Sequence, residues 1–227
     1  MNFIGIDLHS NQFTCCLIQE DGSTVKKQFY ITKQGFSTFF SIIPPDTYAI
    51  LEASTNTFAF VDRIKDHFKN VYVANPFHLK LISMVKQKTD KIDAQKLAVY
   101  LKMQILSGED LIKPVYVPEI AIRELRSLFS THLLLKKQRS QIKNRIHSLL
   151  KQNLFPFTKE YIFGKKKFRE ILSLDMSDNL SCQVRLLFDS LNFLEKQIHD
   201  LELRIIVSSK PFSKQVQILT SMKGISL

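Results

Sequence analysis

The chain has 227 residues, 44% of them hydrophobic, and carries a formal net charge of +11 from 32 Lys and Arg against 21 Asp and Glu. This length and hydrophobic content allow one large domain or two smaller ones and exclude a disordered tail. The positive charge favours a polyanionic partner, either nucleic acid or an anionic membrane surface.

The first part of the chain predicts short strands separated by polar turns. Apolar runs over residues 3–8, 13–19 and 25–31 predict a three-stranded meander. The pattern then predicts a helix over 35–43, a buried strand over 48–51 with Glu52 at its end, a helix over 57–68, a strand over 71–73 and a helix over 77–85.

Three antiparallel strands followed by strand, helix and strand are the element order of an α/β RNase H-like (RuvC-like) domain. We therefore expect a mixed five-stranded sheet in this part of the chain. Strand patterns stop after Pro114 and Pro118, so a domain boundary is expected near residues 114–120. The second part of the chain is predicted to be all α.

Two long helices with heptad repeats are predicted in the second part. The helix over 119–153 has apolar residues seven apart and a half-polar companion row, while the helix over 178–208 repeats more cleanly. Its first row is Leu180, Leu187, Leu194 and Leu201, and its second row is Val184, Leu191, Ile198 and Ile205. Either the helices form an antiparallel hairpin within one chain, or they form a coiled coil that joins two protomers.

The positive charge is concentrated between residues 121 and 170, which hold 13 basic and 3 acidic residues. Such a segment predicts a nucleic-acid-binding face, although a solvated basic helix is the alternative. The candidate phosphate contacts are Lys136, Lys137, Arg139, Lys143, Arg145, Lys165, Lys166, Lys167 and Arg169. Aromatic side chains at 155, 157, 161 and 163 could stack on bases or belong to the hairpin core.

The three cysteines, Cys15, Cys16 and Cys182, lack the paired spacing of a zinc site or a disulfide framework. The apolar run near the start of the chain is too short for a signal sequence, and no run approaches the roughly 18 residues of a membrane span. We expect a cytoplasmic protein that does not interact with membranes.

Four acidic residues occupy positions typical of a metal-dependent nuclease. Asp7 lies in the first strand among apolar neighbours, and Glu52 ends the fourth strand, which is adjacent and parallel to the first in this fold. Asp90 and Asp93 lie three apart at the start of a helix and share one of its faces. Carboxylates brought together in this way are stabilised by hard divalent cations, so Mg²⁺ or Mn²⁺ is expected.

Each acidic residue also has an ordinary structural interpretation. Asp90 could cap its helix, with Asp93 favoured in the first turn by the helix dipole. Asp7 and Glu52 could pair with lysines. Their joint occurrence in the expected order along one chain favours the metal site.

Three motifs carry a resemblance to a known family. They are Gly-Ile-Asp at 5–7, Leu-Glu-Ala-Ser at 51–54, and Lys-Thr-Asp-Lys-Ile-Asp-Ala at 88–94 followed by Leu-Ala at 97–98. They resemble the motifs of the DEDD transposases of bacterial insertion sequences, the insertion sequence 110 family, which is related to pilin-gene DNA invertases and RNA-guided bridge recombinases. The resemblance implies that Asp7, Glu52, Asp90 and Asp93 are the catalytic and metal-binding residues.

The sequence departs from the family at two places. Thr55-Asn56 stands where the family usually has a glycine shortly after its Glu-Ala segment. Residues 219–226 resemble only the opening of the family's C-terminal domain, whose serine is implicated as the nucleophile, so we expect a truncated chain that is incomplete for strand exchange. The predicted domains are 1–115, 116–212 and 213–227.

The resemblance implies an insertion-sequence transposase that cleaves and exchanges DNA strands with Mg²⁺ and is guided by a structured RNA. DNA, that RNA and a second protomer, in a homodimer or higher oligomer, are the implied partners. Two alternatives stay open, a RuvC-like structure-specific endonuclease and a catalytically silent nucleic-acid-binding dimer.

Overall fold

A computed structural model of the chain describes residues 1–77, 79, 90–164 and 167–222, with the backbone alone at 90–92, 167 and 168. The chain divides into two compact units, Met1–Val117 and Pro118–Leu227. The predicted helix over 77–85 lies largely outside the described residues.

The first unit is built on a five-stranded sheet with the strand order β3-β2-β1-β4-β5. Its elements are β1 (Asn2–Leu8), β2 (Gln12–Ile18), β3 (Thr24–Tyr30), α1 (Lys33–Phe40), β4 (Thr47–Glu52), α2 (Thr57–Ile64), β5 (Asn70–Ala74) and α3 (Asp90–Ser107). The first three strands form an antiparallel meander, whereas β4 is parallel to both β1 and β5. The predicted RNase H-like α/β class with a mixed sheet is confirmed.

Each face of the sheet carries its own apolar core. Ile4 and Ile6 of β1 lie in a core with residues of α1 and α2, where the Phe13 ring contacts four other phenylalanine rings. Phe3 of β1 lies in the opposite core, with Leu97 and Leu101 of α3. Because neighbouring side chains of a strand point to opposite faces, even-numbered residues of β1 face α1 and α2 and odd-numbered ones face α3.

Close approach of α3 to the sheet depends on Gly5. A Cβ atom at this position would overlap the carbonyl oxygen of Ala94, the backbone nitrogen of Ala98 and the side chain of Leu97. The missing side chain therefore lets the helix backbone rest directly on β1. Ala94 and Ala98 are fully buried at this contact.

The second unit is all α. Its helices are α4 (Ile120–Gln152), α5 (Lys159–Ile162), α6 (Lys167–Leu172), α7 (Asp178–Ser209) and α8 (Ser213–Thr220). By helical rise, α4 and α7 are each about 50 Å long. Their contacts run in opposite directions along the chain, since His132 contacts Glu202 whereas Lys143 contacts Glu195. The two helices thus form an antiparallel hairpin.

Both heptad rows of α7 are used within this hairpin. Val184, Leu191, Ile198 and Ile205 are buried, as are Leu180 and Leu194 of the other row. Ile146, Leu149 and Leu150 of α4 complete the core at one end of the hairpin. The heptad pattern is therefore explained by contacts inside one chain, and a coiled coil between protomers stays a prediction.

Several elements differ from the sequence-based expectation. The α-helix predicted over 57–68 ends at Ile64 and continues as a 3-10 turn over Lys65–His67. The segment joining the long helices contains two short helices, α5 and α6, that were not predicted. Within the described part of the chain, no helix has the length and apolar character needed to cross a membrane.

Candidate active site

Asp7 and Glu52 lie side by side at one end of the sheet. Ile6 of β1 pairs with Leu51 of β4 in the parallel register, so the residues that come next, Asp7 and Glu52, are neighbours at the carboxyl ends of these strands. Ile50 of β4 lies in the α3-side core, so by alternation both acids point to the α3 side. The Asp7 side chain is 21% exposed, which leaves it within reach of solvent.

The start of α3 lies over the same end of the sheet. Ala94 rests on Gly5, and the later residues Leu97 and Leu101 pack with Phe3, which precedes Gly5. The helix therefore runs against the direction of β1, and its first turn lies towards Asp7. Asp93 belongs to this turn.

Asp93 is 35% exposed and its Oδ1 lies 3.9 Å from the Nζ atom of Lys96. Asp90 is the first residue of α3, and its side chain lies outside the described part of the structure. The backbone thus brings all four predicted acids to one end of the sheet. Convergence of their four carboxylates stays a prediction.

The loop after Glu52 is held by side-chain hydrogen bonds. The hydroxyl of Thr57 donates to the carbonyl of Glu52 at 2.9 Å and accepts from the backbone N–H of Ser54 at 2.8 Å. The side-chain amide of Asn56 donates to the carbonyl of His9 at 2.9 Å. This last bond joins the turn after β1 to the loop after β4, and so ties together the two loops that come after the acids.

His9 is a site residue that the sequence pattern did not indicate. Its Nε2 atom lies 3.2 Å from Oδ2 of Asp7, and its side chain is 41% exposed. In the sequence it belongs to a polar turn, and a single histidine in a turn carries no signal of its own. The signal that could have indicated it is its position two residues after the strand aspartate, on the same side of an extended chain.

The acids at this end of the sheet carry the type of donor atom that suits a hard cation. Asp7, Glu52 and Asp93 supply carboxylate oxygens, which are the ligands of Mg²⁺ and Mn²⁺. Among the side chains that the structure describes, no group of three or more His, Cys, Asp or Glu residues is arranged to hold a metal ion. The described side chains omit that of Asp90.

The predicted phosphate-binding residues divide into separate groups. Lys136, Lys137 and Arg145 are exposed on α4 and Arg169 is exposed on α6, whereas Arg139 is half-buried. The Nζ atom of Lys143 lies 3.2 Å from Oε1 of Glu195 and over the Phe163 ring. Lys165 and Lys166 lie outside the described residues, as does the side chain of Lys167.

Comparison with curated proteins finds no match for this chain. The family model of the insertion sequence 110 DEDD transposases, described as transposase, matches residues 4–156. The matched segment contains most of β1 and the whole of β4, α3 and the basic helix α4. The chain therefore belongs to the DEDD transposase family of insertion sequence 110.

Proposed function

We propose that this transposase cleaves and exchanges DNA strands through a carboxylate site that binds Mg²⁺ or Mn²⁺. Asp7, Glu52, Asp90 and Asp93 would be the catalytic residues and the metal ligands. The observation that carries the proposal is the placement of Asp7 and Glu52 on one face at neighbouring strand ends, with the start of α3 over them.

Bound ions would supply activation of the attacking oxygen and stabilisation of the leaving oxygen in phosphodiester chemistry. The protein's own task is to hold the carboxylates at a set separation. The sheet does this for Asp7 and Glu52, because parallel pairing fixes their spacing. Gly5 fixes the position of the acids on α3, because the contact at this residue sets the distance between the helix and the sheet.

Loops around the acids support their orientation. His9 contacts Asp7 from the turn after β1. Thr57 holds the carbonyl of Glu52 from the first turn of α2. Supporting contacts of this kind fix the direction of a ligand and sharpen its affinity for a metal.

DNA is the partner expected of a transposase, and we propose that a structured guide RNA is a second one. In this arrangement base pairing reads sequence while the protein holds phosphate groups. The exposed side chains of Lys136, Lys137, Arg145 and Arg169 support a phosphate-binding role. The division into domains 1–115, 116–212 and 213–227 belongs to the same proposal.

A homodimer or higher oligomer built through the long helices is also part of the proposal. Most of the heptad residues are buried inside the hairpin, so a second protomer would have to use the outer surface of the hairpin. Large apolar side chains are exposed there, which supports such a contact. They include Phe129, Leu133, Leu134, Leu186 and Phe193.

Metal binding by the purified chain tests the carboxylate site. Mn²⁺ titration of the wild type should give a binding isotherm that Asp7→Asn, Glu52→Gln and Asp93→Asn each weaken by about tenfold or more, as is usual when a metal site loses a contributing group. Asp66→Asn, in the 3-10 turn after α2, is the matched control and should leave affinity unchanged. Equal affinity in all variants would refute the site.

Cleavage of labelled DNA in Mg²⁺ tests the chemistry. Any cleavage that survives Asp7→Asn would refute the role of Asp7. Cleavage confined to branched DNA, without strand exchange, would instead favour the structure-specific endonuclease.

A further inference from the structure

The connector after α4 forms a pocket at the end of the helical hairpin. Its volume is about 600 Å³, within the range of small-molecule sites in proteins. Its lining includes His147 and Lys151 from the last turns of α4, Phe155 and Phe157 from the connector, and Lys159 from α5. None of these residues belongs to the carboxylate site or to the predicted phosphate-binding set.

Aromatic rings in this connector form a parallel ladder. The Phe155 and Phe157 rings lie 6.4 Å apart with an interplanar angle of 6°, and the Phe157 and Tyr161 rings lie 4.8 Å apart at 8°. Phe155 and Phe157 also pack against the hairpin core, and the Tyr161 hydroxyl donates a hydrogen bond to Glu170. These aromatic side chains therefore belong in part to the hairpin core, as one of the two interpretations of the sequence predicted. Phe155 and Phe157 also line the pocket. Because the hairpin core and Glu170 hold these rings in place, they form a rigid surface on which a planar group can stack.

Leu154 lies at the rim of the pocket in a conformation that leucine rarely adopts. Its φ is +64° and its side chain is 90% exposed. It ends α4 in a Schellman arrangement, since Leu154 donates to the carbonyl of Lys151 and Phe155 donates to that of Leu150. Glycine is the usual residue at this position, so leucine is unfavourable here both in its backbone and in its exposure. Residues held in strained backbone conformations cluster at binding and active sites, so Leu154 is a candidate binding residue.

Charge around the pocket favours an anion. Lys151 and Lys159 contribute two positive charges, and the Nζ atom of Lys159 donates at 2.6 Å to Oδ1 of Asn144, a neutral partner that leaves its charge in place. Glu160 adds one negative charge to the rim. Hydrogen bonds from its own backbone and from the Thr158 hydroxyl lower the pKa of Glu160, so it is ionised at neutral pH. Positive charge therefore exceeds negative charge beside the aromatic ladder.

We propose that this pocket binds an unpaired nucleobase of a single-stranded nucleic acid, with its base on the aromatic ladder and its phosphates near Lys151 and Lys159. The proposal rests on the proposed function as a nucleic-acid-binding transposase. Stacking on aromatic rings beside cationic side chains is how proteins bind single strands without reading sequence. Bases inside a duplex have both faces covered, so a duplex cannot stack on this surface.

The test compares single-stranded and duplex binding by the full chain. The probes are fluorescently labelled dT20, rU20 and a 20-base-pair DNA duplex. Phe157→Leu keeps apolar packing but removes the ring, and should weaken binding of a single strand by about fivefold or more, with duplex affinity unchanged. Phe163→Leu is the matched control, because Phe163 packs on the same hairpin core without lining the pocket.

Leu154→Gly separates binding from folding. Glycine is favoured at this φ, so the variant should keep or raise the melting temperature. It should nevertheless weaken single-strand binding about threefold, the loss expected from uncovering roughly 25 Å² of apolar contact. Unchanged single-strand affinity in both Phe157→Leu and Leu154→Gly would overturn the proposal.

Other outcomes also decide the matter. Equal effects of Phe157→Leu and Phe163→Leu, or equal losses for single strands and duplex, would overturn the pocket. A loss with either dT20 or rU20 supports it, and the larger loss identifies DNA or RNA as the source. Wild-type protein that binds duplex but no single strand overturns the pocket alone, whereas wild-type protein that binds no nucleic acid overturns the proposed function as well.

Discussion

The side-chain amide of Asn56 donates a hydrogen bond to the backbone carbonyl of His9 at 2.9 Å, across 47 positions of sequence. His9 lies two residues after Asp7, and Asn56 lies four residues after Glu52. The bond therefore links the turn after β1 to the loop after β4. A residue without a side-chain amide at position 56 could not provide this cross-link.

Replacing Asn56 by Ala should loosen the carboxylate site. Loss of one hydrogen bond should lower stability by about 1 kcal/mol, while freeing the two loops should weaken Mn²⁺ binding several-fold. Thermal unfolding and Mn²⁺ titration measure the two effects. Asn11→Ala, an exposed residue of the β1–β2 turn, is the control. Equal Mn²⁺ affinity in Asn56→Ala and wild type would show that the bond does not position the acids.

Gly5→Ala should displace α3 from the sheet. The added Cβ would overlap backbone atoms of Ala94 and Ala98, and overpacking of this kind costs about 1–3 kcal/mol. Mn²⁺ affinity should fall as well, because Asp90 and Asp93 move with the helix.

Gly22→Ala is the matched control for this substitution. Gly22 has a φ of +86° but no atom close to an added Cβ, so alanine there adds backbone strain without moving α3. The free energy of unfolding should fall in both variants, whereas Mn²⁺ affinity should fall only in Gly5→Ala. Unaltered metal binding in Gly5→Ala would contradict the role given to this contact.

Substitution on the basic helix should change the salt dependence of DNA binding. Lys136, Lys137 and Arg145 are exposed, and if each neutralises one phosphate their replacement by Gln should reduce the log–log salt slope on duplex DNA by about 2.7. Lys143→Gln should leave the slope nearly unaltered, because the amine of Lys143 is held by Glu195. An identical slope in the triple variant and the wild type would place the binding face elsewhere.

Thiol reactivity should single out Cys182. Burial raises the pKa of Cys15 to about 12 and also raises the pKa of Cys16, whereas Cys182 is exposed. Only the thiolate reacts with an aromatic disulfide reagent, so at pH 8 the folded protein should show one fast thiol and three after denaturation. Cys182→Ser should abolish the fast reaction. A second fast thiol in the folded wild type would mean that the sheet opens readily.

The sequence alone predicted the sheet and the positions of the acids. Apolar runs with polar turns between them indicate strands, because each strand of a covered sheet buries side chains on both faces. The order of these strands places Asp7 and Glu52 at neighbouring ends. The family motifs lie within the same local pattern, which is why the residues that carry the resemblance could be read from the sequence.

Only the tertiary structure decided which side chains meet. His9 and Asn56 belong to separate polar loops, and the hydrogen bond between them depends on strand pairing rather than on local sequence. The heptads of α7 could have packed against α4 or against a second chain. An apolar stripe indicates that this face of the helix is buried, but it does not indicate which helix covers it. The strained Leu154 and the pairing of Lys143 with Glu195 likewise arise where the hairpin packs and ends. Local sequence patterns indicate which residues are buried. Which residues they contact depends on the distant segments that the fold brings together.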